Sequence, residues 1–248
     1  MAKPVFSRAD LKSFARQDLV NTYWFCLGTG LLASFIPGLI KLPINLITNR
    51  LDEQFSTAIE SFVENANFYI SPTTIITAIS VYILFTFLAL VLGILTTYPL
   101  KIGFTKYCLN IANEEHFELS QLFSPYKEKT FIEQSLAMFT TELIINLWSL
   151  LFIIPGIIKS YQYAFVPMLL AENPNMTGKQ ARELSKKITD GYKMELFVLG
   201  LSFIGWCLLG ILACGIGVIF VVPYLQMTYI EAYNFLTHIY EEYTLKNT

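Results

Sequence analysis

The chain has 248 residues and a formal net charge of −2, and its composition is 54% hydrophobic but only 15% charged. Soluble domains carry about 25% charged residues, and here the charges leave long uncharged runs at 19–40, 73–100, 143–158 and 196–230. A helix built from such a run has no polar face to offer water, which argues against a soluble domain and predicts an integral membrane protein.

The N-terminal segment mixes basic and acidic residues before the first apolar run. That run is too long for the apolar region of a signal peptide, so we expect the first span to be retained. The residues from Ser7 to Arg16 predict an amphipathic helix with Ser7 as its N-cap. Its apolar positions are Leu11, Phe14 and Ala15, and its basic positions are Arg8, Lys12 and Arg16. Such a helix suits an anionic membrane surface, although a helix packed on the end of a bundle would show the same pattern.

The apolar runs supply about six transmembrane helices, because one crossing needs about 20 residues. The expected crossings are 19–40, 74–98, 135–154, 157–172, 194–213 and 217–238. Proline removes a backbone donor and glycine frees the backbone, so both residue types predict helix breaks, and a Pro-Gly pair can form either a kink or a hairpin turn. The expected breaks are Pro37, Gly38, Pro155, Gly156, Gly215, Gly217 and Pro223. A four-crossing alternative joins the third and fourth spans into one bent helix, and likewise the fifth and sixth.

The distribution of charge predicts the orientation. Lys and Arg occur in the N-terminal segment, in 114–133 and in 172–195, whereas 52–72 has acidic residues and neither Lys nor Arg. Positively charged loops stay in the cytoplasm. We therefore expect a multipass protein of the cytoplasmic membrane with both termini inside and 52–72 outside. A capping-box pattern from Thr177 to Gln180 begins a second basic amphipathic helix.

Two similar phrases indicate an internal repeat. Residues 36–41 and 154–159 match at five of six positions, and a Gly-x5-Pro spacing recurs at Gly93 and Gly217. We interpret residues 1–248 as a single membrane domain with two related halves, about 17–113 and 134–240. Internal repeats are common in transporters, and they also occur in proteins that transport nothing.

The sequence offers few groups for catalysis. It has two histidines and no HExxH pair, Gly-x-Ser-x-Gly elbow or Gly-Lys-Ser/Thr phosphate loop. The four cysteines, Cys26, Cys108, Cys207 and Cys214, lie in apolar surroundings without a CxxC pair, which favours packing over metal binding. We expect no enzyme, no catalytic residue, no cofactor, no metal and no nucleic-acid partner.

Glu142 is the most informative single residue, because a charge within a membrane span is costly. It lies in the third expected crossing, with Asn146 one turn further on the same face. Its carboxyl group must be near the interface, protonated, or facing a partner or water. It is either a packed structural carboxyl or an ion or proton site. Glu231 in the sixth expected crossing is a similar case, and the two would line one polar seam if the halves pack together.

Several motifs resemble a known family. They are Leu11 to Arg16 with Tyr23-Trp24, Trp148 with Ile154-Pro-Gly-Ile-Ile-Lys-Ser-Tyr161, Leu170-Ala-Glu-Asn-Pro174, Leu201-Ser-Phe-Ile-Gly-Trp206, Gly215-Ile-Gly217 and Pro223-Tyr224. Together they resemble a family of bacterial multipass membrane proteins that carries only a domain-of-unknown-function label. A looser similarity links them to the non-catalytic membrane domain attached to some glycerophosphodiester phosphodiesterases. The resemblance implies a cytoplasmic-membrane bundle of six-span type and no catalytic residue.

Two functions follow as hypotheses. The first is a non-catalytic, all-α membrane bundle whose partners are the lipid bilayer, anionic lipid headgroups, and either another membrane protein or a peptide. Its role would be as a scaffold, an assembly factor or a protective protein. The second is a small transporter with a polar site near Glu142 between the two halves.

Overall fold

A computed structural model describes residues 6–64, 72–212 and 216–247, which are helical and contain no strand. The helices are α1 (Arg8–Leu19), α2 (Tyr23–Glu64), α3 (Pro72–Ala112), a 3-10 helix (Leu119–Phe123), α4 (Ser124–Lys127), α5 (Phe131–Leu151), α6 (Ile153–Gln162), α7 (Val166–Glu172), α8 (Gly178–Ile188), α9 (Lys193–Leu201), α10 (Ile204–Leu212) and α11 (Ile216–Asn247). The expected all-α class is therefore confirmed for these residues.

The chain forms two compact units. The larger contains Met1–Ala33 and Tyr98–Thr248, and the smaller contains Ser34–Thr97. Within the smaller unit, Lys41 Nζ donates a hydrogen bond to Thr97 Oγ1 at 3.3 Å. A Cβ added to Gly93 would lie 2.8 Å from Lys41 Cε, so this glycine makes room for the lysine side chain.

Among the described residues, four segments are long and apolar enough to cross a membrane: Tyr23–Arg50, Ile79–Ala112, Ile153–Glu172 and Lys193–Leu212. Large apolar side chains on them face outward; Trp24 is 71% exposed and Leu212 is 81% exposed. Exposed apolar helices of this length identify a membrane-compatible protein. The count of about six crossings and the two-fold repeat stay predictions.

Three of the residues expected at helix breaks do not end a helix. Helix α2 continues through Pro37 and Gly38, and α11 continues through Pro223. A proline removes only one backbone donor, whereas ending a helix in lipid would leave several backbone groups without partners. The helix therefore absorbs the proline and continues.

The break between α5 and α6 lies three residues before Pro155. The backbone is extended at Phe152, with φ −154° and ψ 133°, and Pro155 falls in the first turn of α6. A proline costs little there because the N–H groups of the first turn have no partner within the helix. Gly156 lies against Ser149, which shows that α6 turns back along α5. Pro155 and Gly156 thus begin a helix rather than break one.

A second close approach joins α10 to α11. A Cβ added to Gly210 would lie 2.6 Å from the backbone nitrogen of Val218 and 2.8 Å from the carbonyl carbon of Gly217. The expected break at Gly215 lies outside the described residues, whereas Gly217 lies inside α11. Glycines at such a crossing let two helix backbones pack closely.

Candidate functional site

The Glu142 carboxylate on α5 has two partners on α3. The Tyr98 hydroxyl donates a hydrogen bond to Glu142 Oε2 at 2.7 Å, and Lys101 Nζ forms an ion pair with Oε1 at 3.2 Å. The Lys101 side chain is 50% exposed and that of Glu142 is 39% exposed. The sequence left three environments open for this carboxyl group. The structure shows the one in which the group faces a partner.

Helix α8 packs on α5 beside this carboxylate. Arg182 Nη1 donates to the hydroxyl oxygens of Thr140 at 2.9 Å and Thr141 at 3.2 Å. A Cβ added to Gly178 would lie 2.8 Å from the Cα of Ala137, so α8 approaches the α5 backbone closely. Glu142 therefore lies directly beyond the residues where a basic amphipathic helix crosses α5.

Asn146 does not join this cluster. It is exposed, and no side-chain hydrogen bond connects it to the residues that the structure describes. The one-turn spacing from Glu142 correctly places both residues on one side of α5, but only Glu142 reaches α3.

Glu231 has a different partner from Glu142. Its carboxyl group lies close to that of Asp18, at the end of α1. Asp18 Oδ2 is buried and has no hydrogen-bond partner within the described residues. Two carboxyl groups can share a hydrogen bond only if one of them keeps its proton. Glu142 and Glu231 thus have separate contacts, one to α3 and one to α1, and the seam that would join them stays a prediction.

The environment of Asp18 favours its neutral form. Burial raises the pKa of the Asp18 carboxyl above its ordinary value of 3.8; the hydrogen bond with Glu231 lowers it, and the negative charge of Glu114 raises it again. Desolvation penalises the charged form of an acid, which explains the net upward direction.

Three charged segments of the larger unit meet on α11 near Glu231. The Phe6 ring lies 5.9 Å from that of Phe235 and 6.2 Å from that of Tyr192, which follows α8. Asn234 Nδ2 donates to Asn113 Oδ1 at 3.1 Å, beyond the end of α3. The Tyr233 hydroxyl donates to Glu172 Oε2 at 2.5 Å, at the end of α7. We call this set of contacts the polar end of the larger unit.

The partners Tyr98, Lys101 and Asp18 were not predicted from the sequence. Tyr98 and Lys101 precede Glu142 by 44 and 41 residues, and no local pattern links positions that far apart. Asp18 lies near the end of α1, and its pairing with Glu231 depends on how α1 packs. The sequence offered one signal for these contacts: Glu142 and Glu231 are each an isolated acidic residue next to an apolar run.

The cysteines lie as expected from their apolar surroundings. Cys26 and Cys108 are buried and free, Cys207 is half-buried and free, and Cys214 lies outside the described residues. Within the described ranges, no group of three or more His, Cys, Asp or Glu side chains has the arrangement to hold a metal ion.

These features define an all-helical protein with membrane-compatible helices and a polar end. Comparison with protein families adds one match: residues 150–239 are similar to a family described as "Protein of unknown function (DUF975)". This range covers α6 to most of α11 and includes the close approach of α10 to α11 at Gly210. No curated protein and no solved structure matches the chain.

Proposed function

We propose that the chain is a non-catalytic integral protein of the cytoplasmic membrane that binds anionic lipid headgroups at its polar end. There it would serve as a scaffold, assembly or protective protein for a membrane partner or peptide. The observation that carries this proposal is the meeting of the N-terminus, the end of α3 and the α7–α9 region on α11.

This meeting supports the proposed orientation. Segments that contact one another at one end of a helix bundle lie on the same side of the membrane. The three segments that meet are those whose positive charge predicts a cytoplasmic location. The turn at Phe152, which lays α6 against α5, and the packing of α11 against α10 favour six crossings over four.

The two amphipathic helices expose the groups that would meet headgroups. Helix α1 buries Leu11 and Ala15, and α8 buries Ala181 and Ile188. Their apolar faces are thus used for packing on the protein. The exposed basic residues of the two helices are Arg8, Arg16, Lys179, Lys186 and Lys187. Each basic residue near an anionic membrane surface contributes about 1 kcal/mol of attraction.

The transporter alternative has less support. A transport site needs a group that is free to bind an ion or substrate, whereas both carboxylate oxygens of Glu142 already have partners, Tyr98 and Lys101. A packed, ion-paired carboxylate accounts for these contacts without a transported species.

Thermal unfolding of the detergent-solubilised protein with added lipid tests the proposal. Phosphatidylglycerol should raise the melting temperature more than phosphatidylcholine, because a ligand that binds only the folded state stabilises it. The variant Lys186→Ala/Lys187→Ala should show a smaller difference between the two lipids. The control is Arg50→Ala, which removes an exposed arginine on α2. This variant should retain the full difference between the two lipids. Equal effects of both lipids on the native chain, or extraction from membranes by alkaline carbonate, would contradict the proposal.

A further inference from the structure

An apolar groove lies on the larger unit, where the end of α1 and the start of α2 meet α10 and α11. We name it the α1–α11 groove and define it by Arg16, Tyr23, Trp206, Gly210, Gly217 and Tyr224. Its volume is about 590 Å³, within the range of about 300–1,000 Å³ that is typical of small-molecule sites.

Specific contacts hold the walls of this groove in place. Close packing at Gly210 fixes α10 against α11. The Tyr23 hydroxyl donates to the Phe220 carbonyl oxygen at 2.8 Å, and the Tyr224 hydroxyl donates to the Lys12 carbonyl oxygen at 3.5 Å. The second bond is long, but together these contacts tie α1 and α2 to α11. Because these contacts already fix the helices that line the groove, little conformational entropy is lost when a ligand binds.

The groove is charged at one end only. Arg16 is exposed on α1, and it forms no ion pair within the part of the chain that the structure describes. Gly217 precedes Tyr224 by seven residues, about 10 Å along the helix at 1.5 Å per residue. The lining along that distance is apolar or aromatic. This polarity fits an amphiphile with an anionic head and an apolar tail.

We propose that the α1–α11 groove binds one anionic phospholipid, with its phosphate on Arg16 and an acyl chain along Trp206 and Gly217. A guanidinium group suits a phosphate because its paired N–H donors match two phosphate oxygens. This inference rests on the proposed function, since it requires the groove to open into a bilayer that contains anionic lipid. It adds a discrete site to the general attraction between basic helices and headgroups.

Quenching of Trp206 fluorescence tests the site directly. The chain has three tryptophans, so Trp24→Phe/Trp148→Phe leaves Trp206 as the only one. The protein is reconstituted in phosphatidylcholine vesicles that contain a small fraction of lipid brominated on its acyl chains. Brominated phosphatidylglycerol should quench at an about tenfold lower mole fraction than brominated phosphatidylcholine, a factor that one charge-assisted contact supplies.

Two matched pairs of variants locate the effect. Arg16→Ala should abolish the preference for phosphatidylglycerol, whereas Arg50→Ala, which removes an exposed positive charge from α2 outside the groove lining, should retain it. Val221→Phe should reduce quenching because Val221 lines the groove. The neighbouring Val222→Phe should not, because Val222 is an exposed residue of α11 outside that lining.

The outcomes separate this site from the proposed function. Equal quenching by the two brominated lipids, or a preference that survives in Arg16→Ala, overturns the site but leaves a membrane protein. No quenching by any brominated lipid means that Trp206 does not face lipid, which overturns the membrane placement as well.

If the Trp24→Phe/Trp148→Phe variant does not fold, native mass spectrometry provides the test. The native chain and Arg50→Ala should each retain one phosphatidylglycerol, and its retention by Arg16→Ala overturns the site.

Discussion

Ser149 and Gly156 lie against each other across the turn at Phe152. A Cβ added to Gly156 would lie 2.6 Å from the Cα of Ser149. The approach is possible because glycine has no side chain, and it brings α6 back along α5 over a single extended residue. Nearby, Lys159 Nζ lies 5.5 Å from the centre of the Trp148 ring, a cation–π contact between the same two helices.

Gly156→Ala should destabilise this hairpin. The added methyl group overlaps Ser149, and overpacking of a close contact costs about 1–3 kcal/mol. We expect a lower melting temperature and a lower yield of folded protein by fluorescence-detected size-exclusion chromatography.

Gly28→Ala is the matched control for this prediction. Gly28 lies within α2, and no atom would approach an added Cβ there within 4 Å. Alanine is a better helix former than glycine by about 1 kcal/mol, so this variant should be as stable as the native chain or more so. Equal stability of Gly156→Ala and the native chain would contradict the α5–α6 contact.

Replacement of Glu142 should affect stability in a defined order. Glu142→Gln keeps an acceptor for the Tyr98 hydroxyl and loses the half-exposed ion pair with Lys101, which is worth about 1 kcal/mol or less. Glu142→Leu leaves the Tyr98 hydroxyl without an acceptor, which costs about 1–3 kcal/mol. Adding Tyr98→Phe to Glu142→Leu should restore part of the loss.

The phenotype of a deletion strain separates the structural from the transport hypothesis for Glu142. We expect Glu142→Gln to complement the deletion as well as the native gene does. The control is Glu133→Gln, an exposed acid in the first turn of α5. A Glu142→Gln protein that folds normally but fails to complement would instead support an ion site.

Local features of the fold were predictable from sequence, because they depend on neighbouring residues. The Ser7 N-cap of α1 and the Thr177–Gln180 capping box of α8 are confirmed, since a cap is decided within four residues. The turn near Pro155 was predicted three residues late, because a proline at the start of a helix and one at a break give the same sequence pattern. Helices α2 and α11 continue through Pro37 and Pro223 for a related reason: a long apolar run keeps its helix through a proline.

The partners at the site could not be predicted, because they depend on packing between distant segments. The cost of an unpaired carboxylate in lipid predicts that Glu142 needs a partner, but it does not identify Lys101 or Tyr98. The same cost applies to Glu231, whose partner Asp18 lies near the other end of the chain. Sequence therefore identifies which residues need a contact, and helix packing decides which contact they make.

Thr177→Ala should loosen α8 from α5. The Thr177 hydroxyl oxygen accepts from the Gln180 backbone N–H at 3.4 Å, and Gln180 Oε1 accepts from the Thr177 backbone N–H at 3.0 Å. Removal of an N-cap hydroxyl costs about 1 kcal/mol. Faster hydrogen exchange of the α8 amides should report the loss. Thr177→Ser keeps the hydroxyl and should exchange as the native chain does; equal rates in all three proteins would contradict the role of the cap.

Asp18→Asn should stabilise the protein at neutral pH. Because burial raises the pKa of Asp18 above 3.8, the folded state binds this proton more tightly than the unfolded chain does. The stabilisation that comes from binding this proton is therefore greatest at pH values below the unfolded pKa. It is lost as the pH rises through the folded pKa. Asparagine cannot ionise, and its amide donates to Glu231 at any pH.

Melting temperatures between pH 4 and pH 8 measure this effect. The gain from Asp18→Asn should be largest at pH 8 and vanish near pH 4. Asp10→Asn alters an exposed acid on the same helix and should give no such gain. A gain that is constant across the pH range would exclude ionisation of Asp18 as its cause.

Cysteine labelling should place Ser56 and Lys179 on opposite sides of the membrane. Both side chains are exposed, Ser56 in the segment expected outside and Lys179 on α8. In a background with the four native cysteines replaced by alanine, a membrane-impermeant maleimide should label Ser56→Cys in intact cells. It should label Lys179→Cys only after permeabilisation, and Lys186→Cys, on the same helix, should behave as Lys179→Cys does. Labelling of positions 56 and 179 from one side would contradict the six-crossing orientation, because an odd number of crossings must separate them.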